Sequence, residues 1–222
     1  MKKIIFSILF LVSFFVISTE HKVLANELPV DSFINENTEI IYADQIEIPN
    51  NGISPNAVEN ENYYPGTKTL MKIGDVLYSS KSLVTSTKIV GHVGIVGPDY
   101  RIYHVNPVDE VAGKRDTVET YSSRHGANET IYIYRPRSGG QGAADWAAYA
   151  YSYAKVYDII NLQPLNTLSP NYCSKFIWQA FFYSNSGDIT NLSLTGSSTA
   201  FVTPGHIKNA SIFTNVGSFN TK

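Results

Sequence analysis

The sequence predicts an α+β domain, with antiparallel strands first and two packed helices after them. Three observations predict it. Short β-rich runs separated by turn residues fill residues 72–135. Apolar residues at three- and four-residue spacing follow the break Ser138-Gly139-Gly140-Gln141-Gly142. A second helical run begins after Ser169-Pro170-Asn171. Strands grouped before helices indicate α+β rather than alternating parallel units.

The elements follow in order. Lys72-Ile73-Gly74-Asp75-Val76-Leu77-Tyr78 reads as a turn feeding a buried strand, with Asp75 shaping the turn. Ile89 to Val96 and Tyr100 to Val105 are two further β-rich runs, and Gly97-Pro98-Asp99 joins them as a hairpin. Glu129 to Arg135 alternates and gives another strand. From Ala143, the residues Trp146, Tyr149, Ala150, Tyr153, Val156, Tyr157 and Ile160 form one apolar helix face. Its aromatic stripe reads as core rather than as a carbohydrate platform. Leu165 to Asn171 is a loop, and Tyr172 to Tyr183 is the second helix. The tail is rich in Ser, Thr and Gly, with an apolar patch at Ile212-Phe213.

The N-terminus reads as an export signal over residues 1–25. Lys2 and Lys3 precede an apolar run from Ile4 to Ile17, and Val23-Leu24-Ala25 fits a cleavage site. The run is shorter than the ~20 residues a membrane-spanning helix needs, so no stable membrane insertion is expected after cleavage. Residues 26–66 carry eight acidic residues and no Lys or Arg, and read as a flexible leader or pro-segment with room for a short strand at Glu39-Ile40-Ile41-Tyr42. Residues 67–222 carry 14 basic and 10 acidic residues and suffice for one domain. The charge asymmetry sets the boundary near Tyr64-Pro65-Gly66. Nothing resembles a nucleic-acid module, and no zinc, calcium or phosphate-loop spacing is present, so neither metal nor cofactor is expected.

Cys173 is the single cysteine. On a secreted chain it has no disulfide partner, and it is either a small buried apolar residue or a nucleophile. A thiol of ordinary pKa near ~8.5 needs activation, by a helix start beneath the sulfur and by an imidazole beside it. Cys173 falls in the first turn of the second helix, where unpaired amides can also meet an oxyanion. His92, in Gly91-His92-Val93-Gly94-Ile95-Val96, offers the imidazole, and its flanking glycines let another segment or a substrate come close. His104 stands twelve residues on. With a three- or five-residue hairpin loop it lies directly opposite His92, placed to hold the base's ring. Asn106 shares its face and is a second candidate orienter. His125, in a polar loop, reads as solvated. Ser174 and Tyr172 beside the nucleophile, with Gly91 and Tyr78, are the substrate-binding candidates.

The order Gly-Asp-Val-Leu-Tyr (74–78), Gly-His-Val-Gly-Ile-Val (91–96), Tyr-His-Val (103–105) and Tyr-Cys-Ser-Lys-Phe-Ile (172–177) resembles the circularly permuted papain-like hydrolases of the YiiX/YaeF/YycO type. These are relatives of the NlpC-type wall peptidases and, more distantly, of the lecithin:retinol acyltransferase group. Thr203-Pro204-Gly205-His206-Ile207 is similar to the family's closing motif, with His206 where many members have an acid. The resemblance covers roughly residues 70–210. It implies a permuted papain-like domain in which an antiparallel sheet packs on a cysteine-bearing helix. It further implies Cys173 as nucleophile, His92 as base and His104 as third residue.

The expected function is a secreted, monomeric thiol hydrolase cleaving amide, or alternatively ester, bonds through an acyl-enzyme, with cell-wall peptides as substrates. One alternative is a lipid acyl hydrolase or acyltransferase using Phe176, Ile177, Phe181 and Phe182 for the acyl chain. The other is a non-enzymatic wall-binding module on the same fold.

Overall fold

The structure is a computed structural model that describes residues 38–48, 62–81, 83 and 91–222. All of them lie in one compact unit, Ser32–Lys222. The expected signal peptide lies outside the described residues. No helix among them is long and apolar enough to cross a membrane.

Strand β1 (Ile41–Tyr42) pairs antiparallel with β7 (Thr167–Ser169), and Ala43 beside it is buried in the core. This part of the acidic segment is therefore docked on the domain rather than free, because Ile41 and Ala43 bury apolar surface and the Ala43 amide bonds Asn166 O. Tyr64 is also built in: its ring stacks on Phe219 and its hydroxyl donates to Asp75.

Six antiparallel strands form the main sheet in the order β5-β4-β3-β2-β6-β8. They are β2 (Val76–Ser79), β3 (His92–Val96), β4 (Ile102–Val105), β5 (Gly113–Asp116), β6 (Thr130–Pro136) and β8 (Phe213–Asn220). Strands β2, β3 and β4 are buried along their whole length because both sheet faces are covered. Side chains alternate between the faces. Val76, Tyr78, Val93, Ile95, Tyr103 and Val105 face α2 (Gly140–Ala150) and α3 (Cys173–Phe181). Leu77, Val96, Ile102, Ile131 and Ile133 face the opposite way, against Tyr64, Phe219 and the short helix α1 (Val118–Ser123). Asp75 is fully buried where β2 begins. It accepts from Lys72 N, the Tyr64 hydroxyl and two Arg135 nitrogens, so the buried charge is paired.

Helix α2 ends at Ala150, short of the expected Ile160, and passes into a 3-10 turn, Tyr151–Tyr153. The carbonyls of Ala154 and Lys155 bond Gly113 N and Ala112 N, so the chain leaves the helix to edge the sheet. All nine residues of α3 are buried, which is why its polar Gln179 is satisfied by Leu165 O, Thr167 O and Asn171. The closing motif forms helix α4 (Pro204–Lys208), capped by Thr203 Oγ1 on the His206 amide.

Candidate active site

Cys173 is the first residue of α3, entered from the extended backbone of Tyr172. The ladder between β3 and β4 pairs only Ile95 with Tyr103 and Val96 with Ile102, so the strands part toward His92. Val96 N–H bonds Asp75 O on the β2 side, and Gly97 N–H bonds Arg101 O on the β4 side. Alternation then turns the Val93 N–H toward β4, where the ladder has opened. The Cys173 sulfur lies near it and near the amides of Cys173 and Ser174 at the start of α3, which favour the thiolate form.

That register corrects the expected one. Gly94, not His92, lies opposite His104, because the hairpin closes from Gly97 N to Arg101 O. His92 sits one diagonal step away on the same face. The two rings still meet, His92 Nε2 to His104 Nδ1 at 2.9 Å, because Gly94 leaves the space between them empty. A Cβ there would stand 2.9 Å from the Tyr121 ring and 3.3 Å from His104 Cβ.

The relay continues beyond the expected residues. His104 Nε2 bonds Asp116 Oδ2 at 2.9 Å, and Asp116 is held by Arg124 Nε at 2.6 Å. Arg124 also reaches Asp109, which takes Asn106 Nδ2 as well. Asn106 therefore does not orient an imidazole. Asp116 follows His104 by the same twelve residues that separate the two histidines, across the next turn. That spacing was the signal that could have found it.

Burial pushes the Asp116 carboxyl up, but hydrogen bonds from His104 and Arg124 outweigh it and hold it down to about 2. Burial drives His92 well below the ordinary imidazole value, helped by His104, His125 and Arg124. Burial also lowers His104, against the pull of Asp116. Both rings are thus neutral, and the ionised carboxylate dictates their tautomers. Asp116 accepts from His104 Nε2–H, His104 Nδ1 then accepts from His92 Nε2–H, and His92 is left with its lone pair on Nδ1. Burial pushes the Cys173 thiol up to about 11, against the amides of Val93 and Ser174. The resting cysteine is a thiol. Among the described residues no hydrogen bond joins its sulfur to an imidazole.

Both side chains are buried in this structure: Cys173 is 1% exposed and His92 2%. The segment before α4 is tied to the residues on either side of Cys173. The Tyr172 hydroxyl accepts from Val202 N and donates to Ala200 O, and Ser174 Oγ donates to Val202 O at 2.7 Å. Tyr172 and Ser174, expected at the substrate, instead pin this strap. Tyr78 is buried against Tyr132 and Tyr134 with the Lys208 ammonium 4.9 Å over its ring, so its face is occupied. Gly91 has φ +103, and a Cβ there would lie 2.6 Å from Ser79 O and 3.6 Å from Pro204; its close approach is to the protein itself. His125, read as solvated, is buried at 1% exposure because α1 tucks it under Tyr121. No group of three or more His, Cys, Asp and Glu among the described residues is placed to hold a metal ion.

No family model matches the chain, and no curated protein matches it. One solved structure is similar, described as the crystal structure of metalloprotein yiiX from Escherichia coli O157:H7, DUF1105. It is 13% identical, the alignment covers 67% of this chain and 97% of that one, and the TM-score is 0.44. The functional reading rests on the site itself.

The buried imidazoles make stability depend on acid. His125 is pushed by burial down to about 4, so between that value and the ordinary ~6.5 the unfolded chain binds more protons than the folded one. Its contribution is full above pH ~6.5 and lost on the way down to 4, about 3 kcal/mol from this residue alone. His92 and His104 shift in the same direction, and Asp116 adds a loss as pH falls from ~4 toward 2. Urea midpoints should fall steeply from pH 6.5 to 4 and less steeply in His125→Phe. A flat midpoint in the wild type over that range would contradict the neutral cluster.

Proposed function

We propose that the protein is a thiol hydrolase working through an acyl-enzyme, with Cys173 as nucleophile and His92 as general base. The observations that carry this reading are the buried relay from His92 through His104 to the ionised Asp116 and a buried cysteine at a helix start near Val93, the neighbour of His92. Such a relay leaves one basic lone pair, His92 Nδ1, on the residue next to Val93, whose amide favours the Cys173 thiolate. Nδ1 takes the thiol proton as the sulfur attacks the carbonyl carbon. The amides of Val93, Cys173 and Ser174 meet the oxyanion, and His92 then protonates the leaving nitrogen or oxygen. Because the resting thiol and imidazole are both uncharged, proton transfer accompanies attack instead of preceding it as an ion pair. Substrate enters when the strap around Val202 lifts from Tyr172 and Ser174.

Amide bonds of cell-wall peptides remain the preferred substrate class for a secreted monomer with this site. The lipid alternative loses its support, since Phe176, Ile177 and Phe181 are fully buried core and Phe182 stacks on Trp178. Covalent labelling by an electrophilic acyl probe, read by intact mass, tests the pair. Label is expected on wild type, none on Cys173→Ala, and at least about 100-fold slower labelling on His92→Ala. Equal rates for wild type and His92→Ala would overturn the reading.

A further inference from the structure

An aromatic row outside the relay crosses the sheet face on which α3 and Cys173 pack. Tyr78 stands opposite Val93 on one side and opposite Tyr132 on the other, so β3, β2 and β6 set the three side chains in line. The Tyr78 and Tyr132 rings are 6.4 Å apart, and Tyr134 meets Tyr78 edge-on at 6.3 Å. The inner end of the row lies at the site: Val93 has the amide that favours the Cys173 thiolate, and a Cβ on Gly91, next to His92, would stand 3.2 Å from the Tyr78 ring. Exposure rises outward, from 0% at Val93 through 7% at Tyr78 to 38% at Tyr132.

The outer end has a polar border. Tyr132 stands opposite Ser218, Thr130 opposite Asn220 and Tyr134 opposite Asn215, and these three β8 residues are exposed. A ring face bordered by hydroxyl and amide side chains complements a pyranose, which has apolar C–H faces and a rim of hydroxyls. A wholly apolar partner would instead strip water from that border without replacing its hydrogen bonds. Lys208, whose ammonium stands 4.9 Å over Tyr78, has no carboxylate partner among the described residues. The ledge thus suits a sugar whose attached chain carries negative charge.

We propose that this ledge binds a sugar ring of a wall glycopeptide whose peptide reaches Cys173. The inference rests on the thiol-hydrolase reading and adds the part of the substrate that sets where the chain is cut. Neighbouring strands lie ~4.8 Å apart, so two spacings put Tyr132 roughly 10 Å from Val93. Extended peptide covers that span in about three residues. The sugar stacks on Tyr132, with Asn215, Ser218 and Asn220 bonding its hydroxyls. The peptide passes Lys208, which takes a carboxylate, and presents the bond about three residues from the sugar to the thiol.

Calorimetry on Cys173→Ala, which cannot form an acyl-enzyme, reads binding apart from turnover. The probes are a soluble disaccharide-pentapeptide of wall type and the same pentapeptide without its sugars. The glycopeptide is expected to bind at least about tenfold more tightly. Adding Tyr132→Ala should abolish that difference and Tyr132→Phe keep it, since the ring face is what stacks. Lys208→Gln should weaken both probes a few-fold at low salt and not at high salt. Equal affinity for the two probes, or a sugar preference that persists in Tyr132→Ala, would overturn the proposal. Wild-type protein separates this failure from that of the hydrolase reading. Cleavage of both probes at equal kcat/KM would overturn the ledge and leave the hydrolase standing. Sugar-dependent binding with no cleavage of either would uphold the ledge and overturn the hydrolase.

Discussion

Asp116→Asn is expected to lower turnover by about 10³–10⁴-fold while the domain stays folded, the size seen when the aspartate of a Ser-His-Asp triad is so changed. The reason is a tautomer flip propagated through two rings. An asparagine amide donates to His104 Nε2, where the carboxylate had accepted. The His104 proton moves to Nδ1 and donates to His92 Nε2, so the His92 proton moves to Nδ1. The base then presents an N–H to the thiol where it had a lone pair. Folding survives because Arg124 retains Asp109 at 2.9 Å. Asp109→Asn is the control. It touches Arg124, Lys114 and Asn106 but no imidazole, and should cost only a few-fold. Imidazole nitrogen shifts in labelled protein report the flip, and wild-type turnover in Asp116→Asn would contradict it.

Gly94→Ala is expected to damage both stability and chemistry. The added Cβ meets Ile102 Cγ2 at 2.7 Å and the Tyr121 ring at 2.9 Å, both fully buried. Neither can swing away into solvent, so overpacking of about 1–3 kcal/mol follows. The same methyl crowds His104 Cβ and moves its ring from His92, which should lower thiol reactivity by about 100-fold or more. Denaturant unfolding gives the first effect and labelling rate the second. A stable Gly94→Ala with wild-type labelling would show that the two rings need not touch.

The parts legible in the sequence were those carried by apolar pattern and turn chemistry. The central hairpin and the cysteine helix follow from such signals, because buried strands and a helix carrying Phe176, Ile177, Trp178, Ala180 and Phe181 leave few alternatives. The stretch Gly113-Lys114-Arg115-Asp116 shows no apolar alternation, yet it is the edge strand that brings Asp116 to His104. Strand β8 is likewise polar and half exposed, and only Phe213, Val216 and Phe219 pack on the core. The site was half visible. Cys173, His92 and His104 stood out by residue type and spacing. His125 did not, because Ser122-Ser123-Arg124-His125-Gly126 looks solvated until Thr117 caps a short helix that turns Tyr121 inward. The closed strap was hidden for a different reason: Tyr172 and Ser174 carry hydroxyls suited to a substrate, and only the fold shows them spent on Val202.

The most direct test of a cysteine activated by this relay is the pH dependence of Cys173 alkylation by a small neutral electrophile. With His92 as base, the rate should reach a plateau below pH 6.5, since that imidazole stays neutral in acid, and remain flat to about pH 9. His92→Ala should lose the plateau. A rate that climbs tenfold per pH unit toward the thiol's own value of about 11, identical in wild type and His92→Ala, would show a buried thiol acting alone and contradict the mechanism.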